Sequence, residues 1–275
     1  MYNKYYMRKL FLLLLVPCFC FAAPTSVVYN VSNGEVIQGS LNSEQVSIAS
    51  ISKLLTVYTV LKEKQDLTEK LKVTSSRTPN TKLQKGMILT RKELVNMALI
   101  SSDNVAAITL SQHYPGGQPS FINKMNDYAR TLGMHNSGFV EPTGLSPMNH
   151  SSVNDLILLT NAVSTFDIVK SAAQSQKVIT TPEGVITKKI KKVKKKRKQN
   201  REPKNFVLTS KATSNYFGQN GVITIKTGFT RAAGFCITML VVSNNQLYNI
   251  IVLGARTKQE RQKILDKSFS TIQHV

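Results

Sequence analysis

The sequence predicts an α/β or α+β fold in which one sheet is assembled from distant segments around a mostly helical middle. Three observations predict it. Strand-like alternation follows the first two dozen residues, a second pair of strand-like runs lies near the end, and helical periodicity with helix caps fills the stretch between.

From Ser26 to Ser40 apolar and polar residues alternate around Asn33-Gly34, the strongest short hairpin signal, so two antiparallel strands are expected there. Further along, Thr90-Arg-Lys-Glu93 is a capping box, and Leu94, Met97, Ala98 and Ile100 then form an apolar stripe on a helix expected to stop near Ser101. A second helical pattern begins at about Val105, which puts Ser102-Asp103-Asn104 on the short connection between two helices. Another helix is expected from about Ser120 to Leu132, stopped by Gly133. Gly234 to Val242 and Gln246 to Gly254 read as strands joined at Asn244-Asn245, and the amphipathic stretch Lys258 to Gln273 reads as a terminal helix. No internal repeat is visible.

The chain begins with a basic segment ending Met-Arg8-Lys9, runs through an apolar stretch from Leu10 to about Ala22, and meets Pro24. That is the layout of a secretory signal peptide over residues 1–22, with cleavage expected after Ala22 or Ala23. The apolar stretch is shorter than the ~20 residues a membrane-spanning helix needs. Residues 23–275 are then one exported domain, directed to the periplasm or cell envelope. Two of the three cysteines, Cys18 and Cys20, fall inside the signal. Cys236 remains, and its neighbours Phe235 and Ile237 mark it as a buried small hydrophobe.

Charge is unevenly spread. The chain carries 36 Lys plus Arg against 15 Asp plus Glu, a net +21, and the run from Lys188 to Arg201 holds a large share of it. Such a run repels itself in any compact arrangement and is expected as a solvated basic insertion. An export signal argues against nucleic acid as its partner, which leaves anionic envelope polymers or a membrane surface. A non-catalytic envelope-binding protein is the rival reading from a different class; deleting Lys188 to Arg201 separates it from an enzyme that merely carries a tether. The histidines His113, His135, His150 and His274 show no ligand spacing, so neither a metal nor a cofactor is expected, and His150 reads as a loop residue.

Chemistry enters through three short motifs. Ser50 precedes a helical pattern whose apolar face is Leu54, Leu55, Tyr58 and Leu61, and Lys53 lies one turn on from Ser50 on the same side. A serine hydroxyl is a poor nucleophile until a base takes its proton, and a lysine serves only when neutral. Burial and a second cation, for which Lys226 is the candidate, both push its pKa down. Ser102 can relay protons, and the Asn104 amide can hold Lys53 or a substrate amide. Ser-x-Asn also occurs at Ser40, Ser152 and Ser243, and taken alone Ser102 reads equally as a helix N-cap. Lys226-Thr227-Gly228 ends the strand-like stretch Val222 to Ile225; there a cation and a hydroxyl on a strand edge can bind a carboxylate, and Gly228 lets a substrate backbone come close.

In this order, Ser50-x-x-Lys53, Ser102-Asp-Asn104 and Lys226-Thr-Gly228 resemble the motif set of β-lactamases and penicillin-binding proteins. Ile48 to Leu54, Leu99 to Asn104, Tyr114-Pro-Gly-Gly117, Phe139 to Ser146 and Lys226 to Thr230 sharpen the likeness. They resemble the D-alanyl-D-alanine carboxypeptidase family of low-molecular-mass penicillin-binding proteins, and within it the D-alanyl-D-alanine endopeptidases of the penicillin-binding-protein-seven type. The resemblance implies a β-lactamase/transpeptidase-like fold, with an antiparallel sheet flanked by helices, a mostly helical subdomain, and the active site at their junction. It implies Ser50 as nucleophile, Lys53 as its base, and Ser102 with Asn104 as proton relay and positioning pair. Lys226, Thr227 and Gly228 would bind substrate, the backbone N–H groups of Ser50 and Phe229 would form the oxyanion hole, and Arg256 would receive a terminal carboxylate, unless it caps a strand or pairs with an acid.

The implied activity is hydrolysis of D-alanyl peptide bonds in peptidoglycan through an acyl-enzyme, with β-lactam antibiotics as covalent inhibitors. An endopeptidase cutting cross-links is the first expectation; a carboxypeptidase trimming terminal D-alanine is the alternative. The family's extra C-terminal β domain is absent from this sequence, which favours the endopeptidase. A β-lactamase is disfavoured, because no Glu-x-x-Leu-Asn pattern supplies a deacylating glutamate and Glu141 sits in the Pro-Thr-Gly loop instead. One departure stands out: Phe206 to Gly221 lacks the Asn-Thr-Asn segment associated with the family, which bears on the rim of the substrate groove.

Overall fold

In the computed structural model, residues 23–75, 78, 79, 81–183 and 207–274 are described. The expected signal peptide, residues 1–22, and the basic run Lys188 to Arg201 lie outside the described residues.

In chain order the elements are β1 (Thr25–Asn30), β2 (Glu35–Gly39), β3 (Val46–Ser47), a 3-10 turn (Ala49–Ser52), α1 (Lys53–Lys62), β4 (Lys70–Lys72), β5 (Ile88–Thr90), α2 (Arg91–Ile100), α3 (Asn104–Gln112), α4 (Gly117–Thr131), β6 (His150–Ser151), α5 (Val153–Ser164), α6 (Asp167–Ala173), β7 (Lys177–Thr180), β8 (Leu208–Lys211), β9 (Val222–Thr230), β10 (Gly234–Ser243), β11 (Gln246–Ala255) and α7 (Lys258–Gln273). The main sheet has the order β2-β1-β11-β10-β9 and every neighbouring pair is antiparallel. The N-terminal hairpin therefore joins the C-terminal meander by pairing Thr25 to Asn30 against Leu253 to Tyr248, as the two-ended reading expected.

The turns differ in kind. Asn244 and Asn245 both adopt positive φ, +48° and +62°, which is the two-residue connection whose twist suits adjoining strands. At the first hairpin the connection spans residues 31–34, and only Gly34 (φ +79°) takes the left-handed conformation, with its N–H donating to the Asn30 carbonyl at 2.9 Å. Asn33 instead uses its side chain, whose Oδ1 accepts from the Glu35 N–H at 3.0 Å.

Residues Cys236 to Val241 of β10 are consecutively buried, so both faces of the sheet are covered. Helices α5 and α7 do this, both packing on β10 and β11. Against α5 the contact includes a buried hydroxyl pair, Thr160 Oγ1 to Thr238 Oγ1 at 2.8 Å. The thiol of Cys236 lies in this core and is pushed up to about 11 by burial, the state of an inert structural cysteine. Helix α1 is buried all round from Lys53 to Val60 and packs on α2 to α5, which makes it the central helix of the helical part.

Three features depart from expectation. Strand β9 does not end at Ile225 but continues through Thr230, because Lys226, Thr227 and Gly228 keep pairing with Thr238, Ile237 and Cys236. Helix α4 begins at Gly117, before Ser120; Pro119 is tolerated in its first turn, where an N–H would have no intrahelical acceptor. His150 is in a two-residue ladder with Ser47, too short to show a period, and not in a loop. The lysine-rich run is bracketed by β7 and β8, which pair from Lys177 with Lys211 to Thr180 with Leu208.

Candidate active site

Ser50 stands in the 3-10 turn that feeds α1, and Lys53 is the first residue of that helix. The turn is entered through Ala49 at φ +47°, a conformation that costs a non-glycine residue about 1–2 kcal/mol when unsupported. Support comes from the loop carrying Pro142, Thr143 and Gly144. A β-carbon on Gly144 would lie 1.8 Å from the Ala49 carbonyl oxygen, so only glycine permits this backbone contact. The same loop is tied to α1 by two hydrogen bonds from one helix face: Thr56 Oγ1 to the Pro142 carbonyl at 2.7 Å and Lys53 Nζ to the Thr143 carbonyl at 2.7 Å.

Lys53 is fully buried. Its amine also lies 2.8 Å from Ser50 Oγ and 2.7 Å from Asn104 Oδ1. Burial lowers its pKa to about 7, against the opposing pull of Glu141 and Asp103, whose negative charges favour the ammonium. A neutral amine has two donors and one lone pair. With Asn104 and Thr143 taking the donors, the lone pair is left for the Ser50 hydroxyl, so the arrangement can remove that proton.

Between α2 and α3 the chain turns sharply, with Ser102 at φ +57°. Asp103, and not Ser102, is the N-cap of α3, accepting from the Ala106 N–H at 3.0 Å. Ser102 Oγ instead accepts from Lys226 Nζ at 2.8 Å. Asn104 is oriented by its own Nδ2, which donates to the Pro79 carbonyl at 2.7 Å and leaves Oδ1 toward Lys53. Of the competing Ser-x-Asn triplets, Ser152 caps α5 and Asn154 holds the Asn42 N–H, both structural tasks.

Lys226 is likewise fully buried, and burial first, then the charge of Lys53, pushes its ammonium well below the ordinary lysine range. The expected pairing of two lysines is therefore present, but burial is what lowers Lys53. Thr227 Oγ1 lies 2.6 Å from Thr213 Oγ1, a partner that sits in the very stretch where the Asn-Thr-Asn segment is missing. Gly228 also admits a close contact within the chain itself. A β-carbon there would meet the Ile48 carbonyl at 2.8 Å and the Ser50 nitrogen at 3.0 Å, so the close approach is by the chain's own 3-10 turn. Phe229 follows, exposed, and stacks on Phe235 with ring centroids 4.2 Å apart. Arg256 lies outside this hydrogen-bonded cluster. It leaves the end of β11, its backbone N–H donating to Glu260 Oε2 at 2.6 Å, and lines a cavity shared with Phe229.

Ser50, Lys53 and Asn104 thus form one hydrogen-bonded group and Ser102 with Lys226 a second, brought together from three distant segments and coupled through the charge of Lys53 on Lys226. Glu141 is the residue that motif reading passed over. Its carboxylate accepts from Thr143 N (2.7 Å), Thr143 Oγ1 (2.5 Å), Gly144 N (2.6 Å) and Ser146 N (3.3 Å), shaping the loop that holds Lys53. The signal available was the Glu-Pro-Thr-Gly sequence itself, in which an acid precedes a turn whose N–H groups it can bind. Glu141→Gln removes a charge that favours the Lys53 ammonium, so the acid limb of Ser50 acylation is expected to shift to lower pH. The plateau rate is expected to fall about tenfold as the loop loosens. Penicillin acylation measured from pH 5 to 9 checks both.

Comparison with known proteins places this geometry. The profile of the D-alanyl-D-alanine carboxypeptidase family matches residues 19–257. A D-alanyl-D-alanine endopeptidase of Escherichia coli is 35% identical over 251 residues, covering 85% of this chain and 75% of that protein. A D-alanyl-D-alanine carboxypeptidase of Bacillus subtilis is 26% identical over 262 residues, covering 90% of this chain and 62% of that protein. Among solved structures, a Listeria monocytogenes penicillin-binding protein in its ampicillin-bound form superposes with a TM-score of 0.71 at 26% identity, covering 90% of this chain and 95% of that one. With a match spanning most of the sequence and the whole sheet-and-helix framework shared, the protein belongs to the D-alanyl-D-alanine carboxypeptidase family.

Proposed function

We propose that this protein is an exported serine hydrolase that cuts D-alanyl peptide bonds in cross-linked peptidoglycan through an acyl-enzyme on Ser50. The observation that carries the reading is the buried Lys53 amine, lowered to about 7 and 2.8 Å from the Ser50 hydroxyl. In acylation the Ser50 oxygen attacks the carbonyl carbon as its proton passes to Lys53, and the carbonyl oxygen becomes an oxyanion facing the Ser50 and Phe229 N–H groups. The tetrahedral intermediate then expels the leaving amine. That nitrogen takes a proton by way of the Lys53, Ser102 and Lys226 cluster, and the acyl group stays on Ser50 until water releases it. Lys226, Thr227 and Arg256 act on the substrate's carboxylate side, and Asn104 holds Lys53 and the substrate amide.

Cross-link cleavage is the preferred specificity because the E. coli relative, an endopeptidase, is the more similar of the two. Terminal D-alanine release is the second reading, supported by the family's own description and by the B. subtilis relative. β-Lactams acting as covalent inhibitors fit the ampicillin-bound Listeria structure. The envelope is the matching location, and the basic run Lys188 to Arg201 is suited to an anionic polymer or membrane surface there. Incubation with purified cross-linked muropeptide dimers and with pentapeptide monomers, read by liquid chromatography and mass spectrometry, tests the proposal. Conversion of dimers to monomers supports endopeptidase action, loss of one alanine from monomers the carboxypeptidase reading, and no change in either sinks both.

A further inference from the structure

Beyond Phe229 the site opens into a cavity of about 590 Å³, walled by β3, the turn between β9 and β10, and the end of β11. Val46, Phe229 and Leu253 make its apolar side, and Arg231, Arg256 and Glu44 supply its charges. Two of its walls lead along the chain toward Ser50. Ser47, three residues before Ser50, lines it, and Gly228, immediately before Phe229, abuts the Ser50 backbone. A separate cavity of about 420 Å³ lies by Ser101, Asp103 and Thr213, on the side of the cleft formed by the α2–α3 connection.

The larger space suits more than one amino acid. Its volume falls in the range, roughly 300–1,000 Å³, of pockets that enclose ligands of drug size, whereas a departing D-alanine would fill only a small part of it. Its charge also exceeds what D-alanine needs. A single terminal carboxylate engages one guanidinium fork, and Arg256, which lines this cavity, is the fork the family resemblance offers for it. Arg231 adds a second fork on the same cavity, against one carboxylate, Glu44, among the described residues. Arg231 is exposed in the β9–β10 turn, which is pinned where the Ala233 N–H donates to Thr230 Oγ1 at 3.1 Å.

Resting on the hydrolase reading above, we propose that Arg231 is a specificity residue that binds a second carboxylate on the leaving half of the substrate. Arg231 thereby favours bulky, multiply anionic leaving peptides over a lone terminal D-alanine. Three synthetic substrates with one common acyl half test this. The first releases D-alanine, the second a D-amino acid whose side chain ends in a carboxylate, and the third the same residue with that carboxylate replaced by a carboxamide. Expected for the wild type is a higher kcat/KM for the second than for the other two. In Arg231→Gln the ratio of the second to the third falls about tenfold, the size of one charge-assisted hydrogen bond. Penicillin adduct formation reports that the variant is folded. An unchanged ratio in folded Arg231→Gln, or a wild type that treats the second and third substrates alike, would overturn the proposal alone. Failure of the wild type to hydrolyse any substrate or to form an adduct overturns the hydrolase reading, and the proposal with it.

Discussion

Replacing Ser50 with alanine is expected to abolish the covalent adduct with a fluorescent penicillin, lowering acylation by about 10⁴-fold or more, because the hydroxyl held against the Lys53 base is removed. The fold should barely respond. Ser50 is only half-buried, and its hydroxyl is one of three groups around the Lys53 amine, so the change in stability should stay within about 1 kcal/mol. Intact-mass spectrometry after denaturation reads the adduct, and thermal melting reads the fold. A Ser50→Ala protein that still gains the mass of one penicillin would remove Ser50 as nucleophile and turn attention to Ser102, the other serine bonded to a buried lysine.

Lys53→Arg and Lys53→Met are expected to slow acylation by about 10²–10⁴-fold, the span of a lost general base. Arginine keeps the charge but does not deprotonate in this pH range, so it isolates the acid–base role from the electrostatic one. In the wild type the active form is the neutral amine, so the acylation rate should climb tenfold per pH unit below about 7 and level off above it. That inflection should vanish in both variants. If it persists near pH 7, the titrating base lies elsewhere in the cluster. The same shift has a stability consequence of definite sign. The folded-state pKa is about 7 and the unfolded value 10.5, so between these the unfolded chain binds the additional proton. Unfolding free energy of the wild type, compared with Lys53→Met, should therefore rise as pH climbs from 7 to 10. Melting temperatures of the pair across that range check the slope.

Much of the framework was legible because its causes are local. The Thr90 capping box is formed, with Glu93 bonded back to the Thr90 backbone. The strands of both hairpins and the helix Lys258–Gln273 lie where periodicity put them, since each depends on residues within a few positions of itself. Boundaries failed where a distant strand or loop intervened. Lys226 looks like the end of a strand by composition, yet β10 continues the ladder past it, and a polar residue remains in a strand if its backbone is paired. Ser102 looks like a helix cap, yet Asp103 takes that task and Lys226 approaches Ser102 from 124 residues away.

The residue types available for chemistry, their order, and the sheet ends and helices that carry them follow from the amino-acid order alone, because propensity, capping and short motifs act over a turn or two of chain. That Lys53 and Lys226 are both fully buried, and that burial lowers their pKa values, emerges from the folded arrangement. It alone assigned the Thr143 carbonyl and Glu141 to Lys53, and Thr213 to Thr227. Desolvation and hydrogen-bond geometry are sums over everything within a few ångströms, and at this site those neighbours come from stretches far apart along the chain.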